Sequence, residues 1–204
     1  NTFEKYEYIN LIKKYKITFS TLVSNQIYEI LSNRSLIKNL NKLRVLISAS
    51  AKLYPQDKKK IINNKINLYE MYGAAEIGTV TSINFLKEKK YLNSVGKIYN
   101  SKIKIKILSD ENKFLNKNEV GEIICKTPAI FKNYLNIKKK ELFFKNYFKT
   151  GDLGFFDNNN YLHFVSRKKN VIRRNGISIY PEDIEKKINK DKQVIECVAV
   201  GKNI

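Results

Sequence analysis

Residues that carry much of protein chemistry are scarce in this 204-residue chain. His163 is the only histidine, and Cys125 and Cys197 are the only cysteines. One histidine excludes multi-histidine metal sites, and its place in a strand assigns it to packing or a hairpin edge rather than to catalysis. The cysteines sit in separate β-type apolar runs without a nearby partner. They read as buried core thiols in a reducing compartment, not as a disulfide or a metal pair. No apolar run approaches the ~20 residues of a membrane span, and no signal peptide is visible, so the expected location is cytoplasmic.

Arginine is also scarce. Arg34, Arg44, Arg167, Arg173 and Arg174 are the only ones among 39 basic residues, which face 19 acidic ones for a formal charge of +20. Such a charge suits nucleic acid, because phosphate contacts release counterions. Arginine, however, is the residue that makes bidentate contacts with phosphates and bases, and the lysines here are scattered, with no basic helix and no zinc or RNA-binding motif. Lys, Asn, Ile, Tyr and Phe all have A/T-rich codons and are abundant together. The charge is therefore read as solvated faces of a codon-biased chain, with some steering of anionic substrates and no nucleic-acid partner.

What is present suffices for a core. With 43% apolar and 12% aromatic residues, the chain fits one large domain or two small ones. Tyr6, Ile9, Leu11, Ile12 and Tyr15 recur at helical spacing, and residues 17–23 read as a strand. Ile27, Ile30 and Leu31 mark another helix, residues 43–47 a nearly continuous apolar strand, Pro55 a helix start, and residues 66–69 a further strand. That alternation predicts a mostly parallel α/β sheet with ligands at the strand ends. Near Ser94 the rhythm changes. Residues 102–107 alternate with period two, Glu111-Asn112 fits a turn, and residues 121–125 look like the partner strand. Asp157-Asn158-Asn159-Asn160 is a second turn, joining residues 154–156 to 161–165, and Asn175-Gly176 marks a tight hairpin. A small antiparallel β-subdomain follows from this spacing. Pro181 opens a helix with Glu182 and Asp183 in its first turn. The run Cys197-Val198-Ala199-Val200 reads as a strand.

Three motifs carry the chemistry. Tyr72-Gly73-Ala74-Ala75-Glu76 reads as a turn after a strand, where glycine admits a ligand to the backbone, an aromatic can cover a base, and a carboxylate can hold a divalent ion. The alternative is an ordinary loop with an exposed Glu. Lys149-Thr150-Gly151-Asp152-Leu153 reads as a tight turn whose carboxylate can accept both ribose hydroxyls, or else as an Asx-turn satisfying its own backbone. Ser166-Arg167-Lys168-Lys169 is a cation cluster suited to ribose or phosphate oxygens, or a polar linker between domains.

The order and spacing of these motifs resemble the adenylate-forming superfamily of acyl-CoA synthetases, luciferases and peptide-synthetase adenylation domains. Residues 44–53, Ser94-Val95-Gly96-Lys97 and Gly121-Glu122-Ile123 extend the likeness over nearly the whole chain. The stretch 175–181 looks most like acyl-CoA synthetases. The resemblance implies ATP, Mg²⁺ and CoA as cofactors, with a carboxylic acid as substrate and a carrier protein as an alternative acceptor. It implies that Tyr72 stacks on adenine within the loop Gly73, Ala74 and Ala75, and that Ser50, Ala51 and Lys52 lie along the base. Asp152 would hold the ribose, Arg167 would contact ribose or phosphate, and Glu76 would bind Mg²⁺. Lys169 falls at the hinge about which the C-terminal domain swings, and Gly176 approaches the pantetheine. Val23, Ser24, Ile77 and Thr79 are candidates for the acyl pocket. The implied domains are residues 1–94, an α/β part; 95–166, a β-rich subdomain; 167–169, the hinge; and 170–204, the beginning of an α+β C-terminal domain.

Departures from the family pattern are specific. Ala75 stands where a Thr hydroxyl would bond the α-phosphate, Ser50 and Ser166 stand where Gly is usual, no Ser/Thr/Gly-rich phosphate loop occurs, and no late Gly-Lys motif supplies the catalytic lysine of adenylation. With its start at Asn1-Thr2-Phe3, the sequence is expected to be the middle of a longer enzyme and inactive alone in adenylation. A degenerate protein that binds nucleotide or acyl-CoA without turnover is the other outcome consistent with Ala75.

Overall fold

A computed structural model of the chain describes residues 3–51, 53–132, 134–135, 142–191, 193–194 and 197–202. The fold is a mostly parallel α/β sheet followed by an antiparallel β-sheet, as the two hydrophobic rhythms predict. Two compact units form: Asn1–Ala74 with Thr79–Tyr99, and Ala75–Gly78 with Asn100–Ile204.

In the first unit, helix α1 (Lys5–Lys14) buries Ile9 and Ile12, while Tyr6, Leu11 and Tyr15 of the expected stripe lie exposed. Strands β1 (Phe19–Val23), β2 (Val45–Ala49) and β3 (Leu68–Ala74) run parallel, with Phe19 opposite Val45 and Leu46 opposite Leu68. Helices α2 (Ser24–Leu31) and α4 (Pro55–Asn63) make the crossovers, with the short helix α3 (Arg34–Ile37) between them. Pro55 occupies the first turn of α4, where its missing N–H costs nothing. Strands β4 (Gly78–Asn84) and β5 (Lys97–Ile98) complete the sheet in the order β1-β2-β3-β4-β5, with β4 and β5 antiparallel. Leu46 and Ile47 of β2 are both buried, which explains its nearly continuous apolar reading.

In the second unit, β6 (Lys104–Leu108) alternates exposed lysines with buried Ile105 and Ile107 and pairs with β7 (Gly121–Lys126), Ile105 facing Cys125. Strand β9 (Tyr147–Phe156) lies between β7 and β10 (Leu162–Arg167), and the short β8 (Phe143–Phe144) pairs with β9. The expected Asp157–Asn160 turn joins β9 to β10, with Asn160 in the left-handed region at φ +61°. Strands β11 (Ile172–Arg174) and β12 (Ile177–Ile179) flank Asn175 and Gly176, both at positive φ as a type I′ turn needs. Helix Pro181–Ile188 follows.

Three expectations change. Tyr72, Gly73 and Ala74 belong to β3 itself, and the turn comprises Ala75, Glu76 and Ile77. Lys149–Leu153 lies inside β9 rather than in a turn. Residues 197–200 join no sheet among the described residues; Val198 and Val200 are exposed and Cys197 is only half-buried, unlike the core thiol of Cys125. Among the described residues, no helix is long and apolar enough to cross a membrane.

Candidate functional site

The first unit gathers most of its candidates at the carboxyl ends of parallel strands, where ligands of α/β sheets lie. Val23 ends β1 and is exposed, and buried Ser24 opens α2. The Ser24 hydroxyl donates to the Ala51 carbonyl at 2.8 Å, tying α2 to the loop that leaves β2. In that loop Ser50 holds φ +71°, the left-handed conformation for which glycine is the usual residue, and Ser50 and Ala51 are both exposed. Lys52 lies outside the described residues. Tyr72 is half-buried in β3 beside exposed Gly73, and half-buried Ala74 ends the strand. Thr79, in β4, accepts the Tyr99 hydroxyl at its carbonyl (2.9 Å).

Behind these strand ends lies a buried polar group that sequence reasoning missed. Lys58 of α4 sits 2.5 Å from Glu70 of β3, donates to the Leu92 carbonyl at 3.0 Å, and lies 4.3 Å from the Phe85 ring centre. Burial pulls the Lys58 ammonium below the ordinary lysine value, against the opposing pull of Glu70. Tyr28 and Tyr54 stack at 6.4 Å between ring centres, and burial raises the Tyr28 phenol well above its usual range. Glu70, two residues before Tyr72 in an otherwise apolar strand, is the signal that could have revealed the pair.

The second unit holds the charged candidates. Between β7 and β9, one residue of β7 (Ile123) faces three of β9: Glu122 aligns with Leu153 and Ile124 with Lys149. Thr150, Gly151 and Asp152 therefore form a bulge. Gly151 takes φ +71°, with nothing within 4 Å of where a Cβ would stand, so the backbone is open to a ligand there. The Thr150 hydroxyl donates to the Ile123 carbonyl at 2.7 Å and accepts the Asp152 N–H at 3.0 Å. Asp152 is buried and lies opposite Arg167 in the β9–β10 register, with Arg167 Nε 2.9 Å from Asp152 Oδ1. An acceptor carboxylate and a half-exposed guanidinium thus stand side by side.

Lys168 continues this charge system. It bridges Glu122 (3.1 Å) and Asp110 (3.0 Å), and Arg173 reaches Asp110 at 3.1 Å. Glu122 also accepts the Gly151 N–H at 3.2 Å, bracing the bulge. Burial pulls Lys168 down, but its bonds to Asp110 and Glu122 overcome that and leave it raised. Lys169 is exposed in the turn Lys168–Asn170, and Gly176 is exposed at the hairpin tip, with open space over it. His163 stacks on Phe155 and bonds Asp157 at 3.0 Å, in keeping with an edge role.

In the turn after β3, Ala75 is exposed, Glu76 is half-buried and Ile77 has no exposed surface. Tyr134 donates its hydroxyl to Glu76 Oε1, and this bond raises the phenol to about 12. Glu76 supplies a hard oxygen donor of the kind Mg²⁺ prefers. No group of three or more His, Cys, Asp or Glu side chains gathers among the described residues. A single carboxylate fits an ion that draws its other ligands from water and phosphate.

The family model described as "AMP-binding enzyme" matches residues 2–135. The chain belongs to this family. A curated relative, 4-coumarate-CoA ligase 1 of Narcissus pseudonarcissus, is 29% identical over 194 residues, covering 90% of this chain and 35% of the relative. The chain thus spans about a third of that relative's length. Among solved structures, the o-succinylbenzoate CoA synthetase MenE of Bacillus subtilis, in complex with its acyl-adenylate intermediate, shares the fold with a TM-score of 0.88. Its identity is 22%, and the match covers 99% of this chain and 42% of that one. ATP-bound MatB of Rhodopseudomonas palustris matches with a TM-score of 0.86 and 25% identity, over 96% of this chain and 39% of the other.

Proposed function

We propose that this chain is the nucleotide-holding middle of an ATP- and Mg²⁺-dependent acyl-CoA synthetase. The observation that carries the reading is the Asp152–Arg167 pair beside the open Gly151 bulge, in a chain of the AMP-binding enzyme family. Asp152 accepts the two ribose hydroxyls, and Arg167 donates to ribose or phosphate oxygens. Tyr72 covers the adenine, with Gly73, Ala74 and Ala75 beside it and the Ser50, Ala51 and Lys52 segment along its edge. Glu76 would hold Mg²⁺, whose contribution is to neutralise phosphate charge. The names of the CoA ligase and of ATP-bound MatB support this assignment.

In the reaction, the substrate carboxylate oxygen attacks the α-phosphorus of ATP and the bond to the β-phosphate oxygen breaks, giving acyl-AMP and pyrophosphate. The CoA thiolate then attacks the acyl carbonyl and AMP leaves with the C–O bond electrons. These residues act by positioning and charge neutralisation, which suffices for in-line displacement. Lys169 serves as the pivot between the two steps, Gly176 meets the pantetheine, and Val23, Ser24, Ile77 and Thr79 contribute to the acyl pocket. Fully buried Ile77 would act by backing that pocket rather than by touching the acid.

Carboxylate-dependent exchange of pyrophosphate into ATP tests the first step in a protein carrying this chain. Consumption of free CoA distinguishes a synthetase from a ligase that loads a carrier-protein thiol. A second reading, nucleotide binding without turnover, is favoured by one sequence feature: Ala75 stands at the position to which the family resemblance assigns a Thr hydroxyl facing the α-phosphate. A hydroxyl aimed at developing charge contributes on the order of 10²–10³ in rate. A75T is expected to raise pyrophosphate exchange substantially if Ala75 reflects decay, and to leave it unchanged in a working variant.

A further inference from the structure

We infer that Tyr134 is a positioning residue that holds the Glu76 carboxylate ready for a divalent cation; the inference rests on the reading of Glu76 as the metal ligand. A glutamate on a short turn loses rotamer freedom when it coordinates an ion, and that entropy opposes binding unless something else fixes the side chain first. Here Ala129, Phe131 and Tyr134 do so from the same unit as the turn.

Its grip has three parts. The Phe131 N–H donates to the Glu76 carbonyl at 2.8 Å, fixing the backbone of the turn. The Tyr134 hydroxyl donates to Glu76 Oε1, fixing the side chain. Gly78, at φ +65°, has the Ala129 Cβ only 3.1 Å from where its own Cβ would be, so a larger residue would press on Ala129. The phenol is itself anchored. The Tyr134 ring meets the Phe131 ring at 4.6 Å, and Phe131 packs edge-on against Phe148 of β9 at 5.3 Å. Phe148 is buried in the sheet core. A line of rings thus connects β9 to one carboxylate oxygen.

A phenol bonded to one oxygen leaves the second for a cation, the arrangement by which outer partners orient metal-binding carboxylates. Removing such a partner commonly costs 10–100-fold in metal affinity. Y134F keeps the ring line and deletes only the hydroxyl.

The test uses the whole chain, with Mn²⁺ as the probe in the presence of ATP and free Mn²⁺ followed by electron paramagnetic resonance. E76Q is expected to abolish the protein-dependent retention of Mn²⁺, Y134F to weaken it about tenfold, and the double variant to resemble E76Q. Affinity of Y134F for metal-free AMP should match the wild type. Wild-type Mn²⁺ binding by Y134F alongside impaired E76Q overturns the role of Tyr134 and leaves Glu76 as the ligand. Wild-type Mn²⁺ binding by E76Q overturns the metal reading of Glu76, and the inference with it. Equal losses of Mn²⁺ and AMP affinity in Y134F overturn positioning in favour of a purely structural effect, and no retention by the wild type overturns both assignments.

Discussion

Lys58 holds an ammonium where 3% of its side chain meets solvent, and its stability rests on Glu70, the Leu92 carbonyl and the Phe85 ring together. A buried pair contributes little net stability, because desolvation of both ions offsets their attraction, but half a pair is costly. K58M should therefore destabilise the chain by about 3–5 kcal/mol in urea unfolding, whereas K58M/E70L should recover most of the loss. A double variant as unstable as the single one would contradict this account. The pair illustrates what one sequence hides: Glu70 stands in a strand and Lys58 in a lysine-rich helix, and only the crossover of α4 onto β3 brings them together. Asp152 stands out in the sequence for the opposite reason, since a carboxylate directly after glycine is a local pattern, although the strand bulge that holds it is not. Tyr134, whose bond reaches across 58 residues to Glu76, left no such signal.

Strand β9 shows how an element can conceal its character. Its sequence reads as strand, turn and strand because Gly151 interrupts it, yet the ladder continues on both sides and the glycine marks a bulge. Period-two alternation in β6 and the Asn175-Gly176 hairpin were legible because both patterns are local. The apolar run at residues 197–200 misled, since apolar composition alone cannot supply a pairing neighbour. Between elements, Asp110 after β6 joins Lys168 after β10 and Arg173 in β11. Its bond to Lys168, then that to Arg173, holds the Asp110 carboxyl below the usual range. A depressed folded pKa stabilises the folded state above the unfolded value of about 4, and the benefit is lost as pH falls through the folded value. The site is exposed, so wild type should exceed D110N by at most about 1 kcal/mol at pH 7 in low salt. That gap should shrink below about pH 4 and on adding ~1 M salt. A gap unchanged at pH 2–3 would show that Asp110 acts through its shape rather than its charge.

At the scale of the molecule, the ordered motifs of the sequence fall on the ends of parallel strands in one unit and on the antiparallel sheet and its flanking turns in the other. Family membership was legible from that order, whereas Val23, Ser24, Ile77 and Thr79, proposed for an acyl pocket, differ in exposure and share no chemistry that selects one acid. The charge of +20 needs no nucleic-acid partner on this account. The central claim is that Asp152 holds the ribose of an adenine nucleotide. Hydrogen bonds to a charged acceptor are each worth about 1.5–3 kcal/mol, so losing the carboxylate should cost at least about tenfold in affinity. Calorimetric titration of AMP into the chain, its D152N variant and its D152A variant tests this most directly, with circular dichroism verifying that each is folded. The wild type should bind AMP saturably, and both variants should lose about tenfold or more in affinity. Folded variants that bind AMP as the wild type does, or a wild type that does not bind it, would contradict the claim.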